Sequence, residues 1–283
     1  MRFMKQPSRQ IIAMIAAVLA TVALAAQAAG GVTAQGADAV AARGAEAPSA
    51  EELLARLDAN ESFTSIRYTG RMEITIGGET RVKDMKAVAI AGPAGAGGSS
   101  GAASDKAFIE FTNPEDRGIR YLKLGKDLWM YFPKEQGTVK ISGHLLKEGL
   151  MGSDVSYEDA LESSDFKAKY NASVRGSDTV DGRKTWILEL KAKVPTASYD
   201  RRLIWIDAER YVGLKEEMYA KSGMLLKTSK TLTVQRIGDR WYGTSVEMES
   251  KLRKDTKTTF TLQKIELDVR VDPRQFTLAS LTK

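Results

Sequence analysis

The sequence predicts a mainly β protein: one long antiparallel meander, curled into a barrel or half-barrel, with a flap beside its sheet. Three observations carry this. About a dozen segments alternate apolar and polar residues at the period of a half-buried strand. Turn-forming pairs such as Asp181-Gly182, Ser222-Gly223 and Gly238-Asp239 separate them. No helical pattern recurs between the strands, which excludes a parallel βαβ architecture. The chain has 283 residues, and no composition break divides the part from Ser49 onward, so one domain is expected over 49–283.

The beginning of the chain reads as a targeting segment. Arg2, Lys5 and Arg9 precede an apolar run from Ile11 to Ala26, and Ala26-Gln27-Ala28 supplies small residues for cleavage. A Sec-type signal peptide over 1–28, cut near Ala28, is expected, and with it a periplasmic destination. The run is short and Ala-rich, so no stable membrane span is expected after cleavage. Without these three basic residues the formal charge falls from +6 to +3. That near balance argues against nucleic acid as a partner, which needs a concentrated basic patch. The chain has no Cys, hence no disulfide and no lipobox for a lipid anchor. Residues 29–48 are rich in Ala and Gly with few large apolar side chains, and are expected to form a flexible leader.

A short helix follows. Ser49 and Glu52 make a capping box, and Leu53, Leu54 and Leu57 form an apolar stripe that ends near Asn60. The first long strand, Phe63 to Ile76, places Ile66, Tyr68, Met72, Ile74 and Ile76 on one face, with Gly70 among them. Arg67, Thr69, Arg71, Glu73 and Thr75 occupy the other. The chain returns over Thr80–Ile90. Gly92–Ser104 is low-complexity and Gly-rich; lacking a Gly-Lys-Ser/Thr and a following helix, it reads as a hairpin tip rather than a phosphate loop. Further strands are expected at Lys106–Thr112, Ile119–Leu124, Leu128–Phe132 and Thr138–Ser142. One or two helical turns over Tyr157–Ser164 precede strands at Phe166–Arg175, Lys184–Lys193, Arg201–Asp207, Val212–Ala220, Leu225–Ile237, Arg240–Ser250 and Thr256–Val271.

Between Ser142 and Tyr157 the pattern changes. Leu145, Leu146, Leu150 and Met151 sit among Gly143, Gly149 and Gly152. The segment is too short and too broken by Gly for a core helix, yet apolar enough to cover something greasy. Two readings stay open: a movable cover, for which Met is well suited, or static packing.

Catalytic chemistry is poorly supplied. There is one His, His144, which reads as a surface or turn residue, and no G-x-S-x-G elbow. Cys nucleophiles and the usual zinc ligand sets are excluded, and no metal or cofactor is expected. Glu247 with Glu249, and Glu158 with Asp159, could serve glycoside hydrolysis. Interleaved Arg and Lys make a solvated sheet face the simpler reading. Trp129, Trp186, Trp205 and Trp241 lie in expected strands, as core or as cavity lining.

Several pieces carry a resemblance. Met130-Tyr131-Phe132-Pro133, Val139-Lys140-Ile141-Ser142 and the run Met151-Gly152-Ser153-Asp154-Val155-Ser156-Tyr157-Glu158-Asp159 resemble the central signature of the outer-membrane lipoprotein-sorting (LolA-like) family, in its broad branch. Trp186, Trp205-Ile206-Asp207, Glu217, Tyr219 and Gly223 to Lys227 are similar too. The resemblance implies an incomplete antiparallel β-barrel closed by short helices, whose apolar concave face binds acyl chains. It implies a non-catalytic periplasmic carrier of lipoprotein or phospholipid chains toward the outer membrane, with an inner-membrane transporter as donor and an outer-membrane acceptor. Residues expected at the ligand are Trp129, Tyr131, Leu145, Leu146, Leu150, Met151, Tyr157 and Trp205, with Arg71 as the polar candidate. The alternative is a periplasmic sensor or interaction module that recognises a protein partner with the same half-barrel.

Overall fold

The computed structural model describes residues 47–91, 105–161 and 166–283. The signal peptide, nearly all of the leader and the Gly-rich stretch Gly92–Ser104 expected from the sequence lie outside these residues.

Among the described residues, thirteen strands form one antiparallel sheet: β1 (Ser65–Ile76), β2 (Glu79–Ile90), β3 (Lys106–Phe111), β4 (Arg120–Leu124), β5 (Asp127–Phe132), β6 (Gly137–Ile141), β7 (Tyr170–Val180), β8 (Arg183–Ala192), β9 (Arg201–Asp207), β10 (Gly213–Tyr219), β11 (Leu225–Ile237), β12 (Arg240–Ser250) and β13 (Thr256–Leu267). The spatial order runs β6-β5-β4-β3-β2-β1-β13-β12-β11-β10-β9-β8-β7. The sheet is therefore two meanders joined where the first strand pairs with the last, and it stays open, with β6 and β7 at its edges. This is the incomplete barrel the sequence leads one to expect.

Register fixes the two faces. Met72 stands opposite Phe260, and Gly70 opposite both Leu262 and Met85. A Cβ on Gly70 would come within 2.9 Å of the Phe260 ring, so the glycine makes room for that ring. Following these pairs outward defines one inner face, on which, among the described residues, every covering element but the C-terminal tail sits. The described parts of the connection between edges β6 and β7, residues 142–161 and 166–169, lie over this inner face.

The inner face has two apolar regions. One gathers Ile66, Met72, Met85, Ile109, Phe111, Tyr121, Leu128, Met130, Ile141 and Phe260. The other gathers Leu188, Leu190, Ile204 and Ile206 against Leu53, Leu54 and Leu57 of helix α1 (Ala50–Glu61). α1 begins as its capping box dictates: the Ser49 side chain accepts from the Glu52 amide at 3.1 Å. Asn60 pins its end, donating to the carbonyls of Arg210 and Tyr211 and accepting from the Trp241 amide. Ser49→Ala should cost about 1 kcal/mol. Urea unfolding followed by circular dichroism checks this as a lowered midpoint at unchanged slope.

Three strand ends differ from expectation, one being that β7 runs on to Val180 rather than stopping at Arg175. Phe166–Lys169 forms a helical turn rather than the start of β7. It sets the Phe166 and Tyr170 rings 6.0 Å apart, with Tyr170 buried under α1 and Phe166 packed alongside. β13 stops at Leu267 rather than Val271, because Asp268 turns the chain, accepting from the Thr64 amide at 2.7 Å and from Arg240 at 2.6 Å. The released tail crosses the outer face of β2–β5. There Phe276 and Leu281 pack with Val88, Leu122 and Tyr131.

Candidate functional site

The functional site suggested by the sequence is the hollow of the sheet with its cover. After Ser142 the chain makes two short 3-10 turns, Gly143–Lys147 and Leu150–Gly152, and then helix α2 (Tyr157–Leu161). Gly149 and Ser156 form an isolated antiparallel bridge, and the Leu150 amide donates to the Val155 carbonyl at 2.9 Å. The loop they enclose is tight. A Cβ on Gly149 would lie 2.2 Å from the Ser153 carbonyl oxygen, so only glycine fits there. Met151 takes a left-handed backbone, φ 51°, at a cost of about 1 kcal/mol.

That strained loop sends its apolar and polar side chains to different parts of the sheet. Leu150, Met151, Val155, Tyr157 and Ala160 are buried in the first apolar region, with Leu145, Leu146 and Leu161 half-buried against it. The polar members reach the other half. The Asp154 carboxylate accepts from Thr256 Oγ1 at 2.5 Å, Thr258 Oγ1 at 2.9 Å and the Ser250 amide at 3.4 Å. Its own amide donates to Thr258 Oγ1 at 2.9 Å. Arg253 donates to the carbonyls of Gly152 and Ser153. Asp159 accepts from Lys227, from Tyr199 at 2.5 Å and from the Ser156 amide and hydroxyl. Burial pushes the Asp159 carboxyl up, but Lys227, Tyr199 and Ser156 more than offset it and hold it below the usual carboxylate value. The Met-Gly-Ser-Asp…Tyr-Glu-Asp run is thus a latch. It ties a greasy cover over β1–β6 to a hydroxyl- and lysine-bearing stripe on β11–β13.

The structure sorts the candidate ligand residues by face. Leu145, Leu146, Leu150, Met151 and Tyr157 come together on the inner face. Trp129 and Tyr131 do not join them. Both point to the outer face of β5 and pack under the C-terminal tail, with Lys140 Nζ 5.3 Å from the Trp129 ring. Trp205 also faces outward: it stands beside the inward Ile204 and Ile206, Lys215 Nζ lies 4.0 Å over its ring, and its Nε1 donates to Asp178. Arg71, the polar candidate, is half-exposed on the outer face and bonded to Asp84 at 2.9 Å. These four placements share one cause: they occupy alternate positions of strands whose other residues fill the hollow.

The remaining groups are solvated or structural. Glu247 pairs with Lys257 and Glu249 with Lys251. His144 is exposed in its 3-10 turn. Among the described residues no group of three His, Cys, Asp or Glu could hold a metal ion, and no helix is long and apolar enough to cross a membrane.

One inward residue was not singled out from the sequence. Lys123, on β4, is fully buried and faces Ala107 and Leu128 across its two ladders. Among the described residues no atom accepts a hydrogen bond from its amine.

Comparison with known proteins bears on the fold. A family model described as an uncharacterized protein matches residues 103–283. No curated protein matches the chain. Among solved structures, a DUF1329 family protein from Desulfovibrio piger is similar at 24% identity and a TM-score of 0.73, covering 81% of this chain and 96% of its own. A Vibrio parahaemolyticus domain named for outer-membrane lipoprotein sorting matches at 21% identity and a TM-score of 0.69, covering 83% and 97%. A LolA superfamily protein from Nitrosomonas europaea matches at 20% identity and a TM-score of 0.64, covering 83% and 100%. The chain therefore belongs to the family whose model spans residues 103–283, and its fold is that of the LolA-like lipoprotein-sorting proteins.

Proposed function

We propose that this protein is a non-catalytic periplasmic carrier that holds acyl chains of lipoproteins or lipids against the inner face of its open sheet, for transfer toward the outer membrane. The observation that carries this reading is the division of labour within 142–161. Its apolar side chains lie on the apolar region of the sheet, and its polar ones are fastened elsewhere. An acyl chain could therefore take the place of the apolar side chains without any catalytic group.

The energies make such an exchange reversible. Burying methylenes is worth about 0.8 kcal/mol each, so a chain of roughly fifteen gains about 12 kcal/mol gross. Displacing Leu145, Leu146, Leu150 and Met151 forfeits about 1.5 to 3 kcal/mol for each fully buried one, and less for the two leucines that are only half-buried. The balance favours the ligand by a margin small enough for release to an acceptor.

Organic extraction of protein purified from its native cells, followed by mass spectrometry, should yield lipid, and a fluorescent fatty acid should bind and be displaced by it. No extractable lipid together with no fatty-acid binding overturns the reading. A single stoichiometric protein partner recovered without lipid would put the interaction-module reading in its place.

A further inference from the structure

We propose that Lys123 anchors the anionic head of the cargo, a carboxylate or a phosphate on an acyl chain, at the floor of the hollow. The inference rests on the carrier reading and narrows it from acyl lipids at large to acidic ones.

The geometry carries the argument. Lys123 is one of the largest wholly buried side chains and lies on the inner face with Tyr121, Leu128 and Ile141 as apolar company. A buried ammonium ordinarily has an oxygen within hydrogen-bonding reach, since an unmet donor in an apolar site is costly. Lys123 Nζ has none among the described residues. Asp105, also buried, sits diagonally across the β3–β4 ladder; its field favours the charged amine, and that of Lys169 opposes it. Burial nevertheless pulls the Lys123 amine down to about 8, which leaves it mostly charged at neutral pH. A core position that needed only volume would be served better by Met or Leu. An anion delivered on a hydrocarbon chain supplies the missing acceptor, and the chain covers the apolar wall around it.

Hexadecanoate, its methyl ester and the matching lysophosphatidate are the probes, with inorganic phosphate as the chain-free arm. Binding is read by displacement of a neutral fluorescent lipid from the full-length protein and from Lys123→Met and Lys123→Gln. Wild type should bind one or both acidic lipids at least about tenfold tighter than the ester, and which acid wins identifies the head group. Inorganic phosphate should not bind. Both variants should lose the acid preference while binding the ester as before. Lys123→Met should also unfold at a higher temperature than wild type, which separates a lost anchor from a damaged fold. Equal affinity for acid and ester in wild type, or an acid preference that survives in both variants, overturns the proposal while leaving the carrier reading intact. Failure of wild type to bind any acyl probe sinks the carrier reading itself.

Discussion

Asp154→Ala should unfold this protein more readily by about 3 to 5 kcal/mol, seen as a large drop in the urea midpoint. The carboxylate is fully buried, with Arg253 3.9 Å away. Removing it strands the hydroxyls of Thr256 and Thr258, and each stranded donor costs about 1 to 3 kcal/mol. Asp154→Asn should lose less, since the amide keeps one acceptor. A loss below about 1 kcal/mol for the alanine variant would show that the latched end of the cover lies outside the cooperative unit.

The second large effect belongs to Asp159. Asp159→Asn leaves the Lys227 ammonium, only 13% exposed, without its partner, and should cost about 3 kcal/mol. Lys227→Met in that background should restore part of the loss, so the double-mutant cycle should return a coupling above about 1 kcal/mol. The pH dependence has a definite sign. The folded protein holds this carboxyl below its ordinary value, so its contribution is fully present above the unfolded value. It fades as pH falls through the lower folded value, that is, below about pH 4. Wild type should therefore lose more stability than Asp159→Asn on acidification into that range. Parallel curves for the two proteins would show that the pair carries no linkage.

What the sequence made legible divides along physical lines. Period-two alternation located β1 through β6 and β8 through β13 to within a few residues, because the inner face of each must be apolar where it is covered. The capping box at Ser49 and Glu52 located α1, because its chemistry is local. The cover was found by its composition, but its attachment was not. Asp154 meets Thr258, and Asp159 meets Lys227, across long stretches of chain that no local pattern spans. The inward-versus-outward assignment failed for Trp129 and Tyr131 for a different reason. Leu128 to Phe132 is apolar at every position, the mark of a strand buried on both sides. Tyr131 therefore signalled the tail that packs outside β5 through Phe276 and Leu281. Lys123 escaped notice because a lysine in an alternating strand looks like the solvent side; only the register with Ala107 and Leu128 turns it inward.

The pairing of β1 with β13 has a consequence for biogenesis. Thr69 donates to the carbonyl of Gln263, 194 positions further along the chain. The middle of the sheet is thus its most distant contact in sequence, and closing so wide a loop comes before any reward from the ladder. Until β13, Thr256–Leu267, is free to pair, β1 presents a bare edge that any passing strand could copy. A slow acquisition of structure, and a need for escort while the polypeptide is still being made, follow from this topology alone.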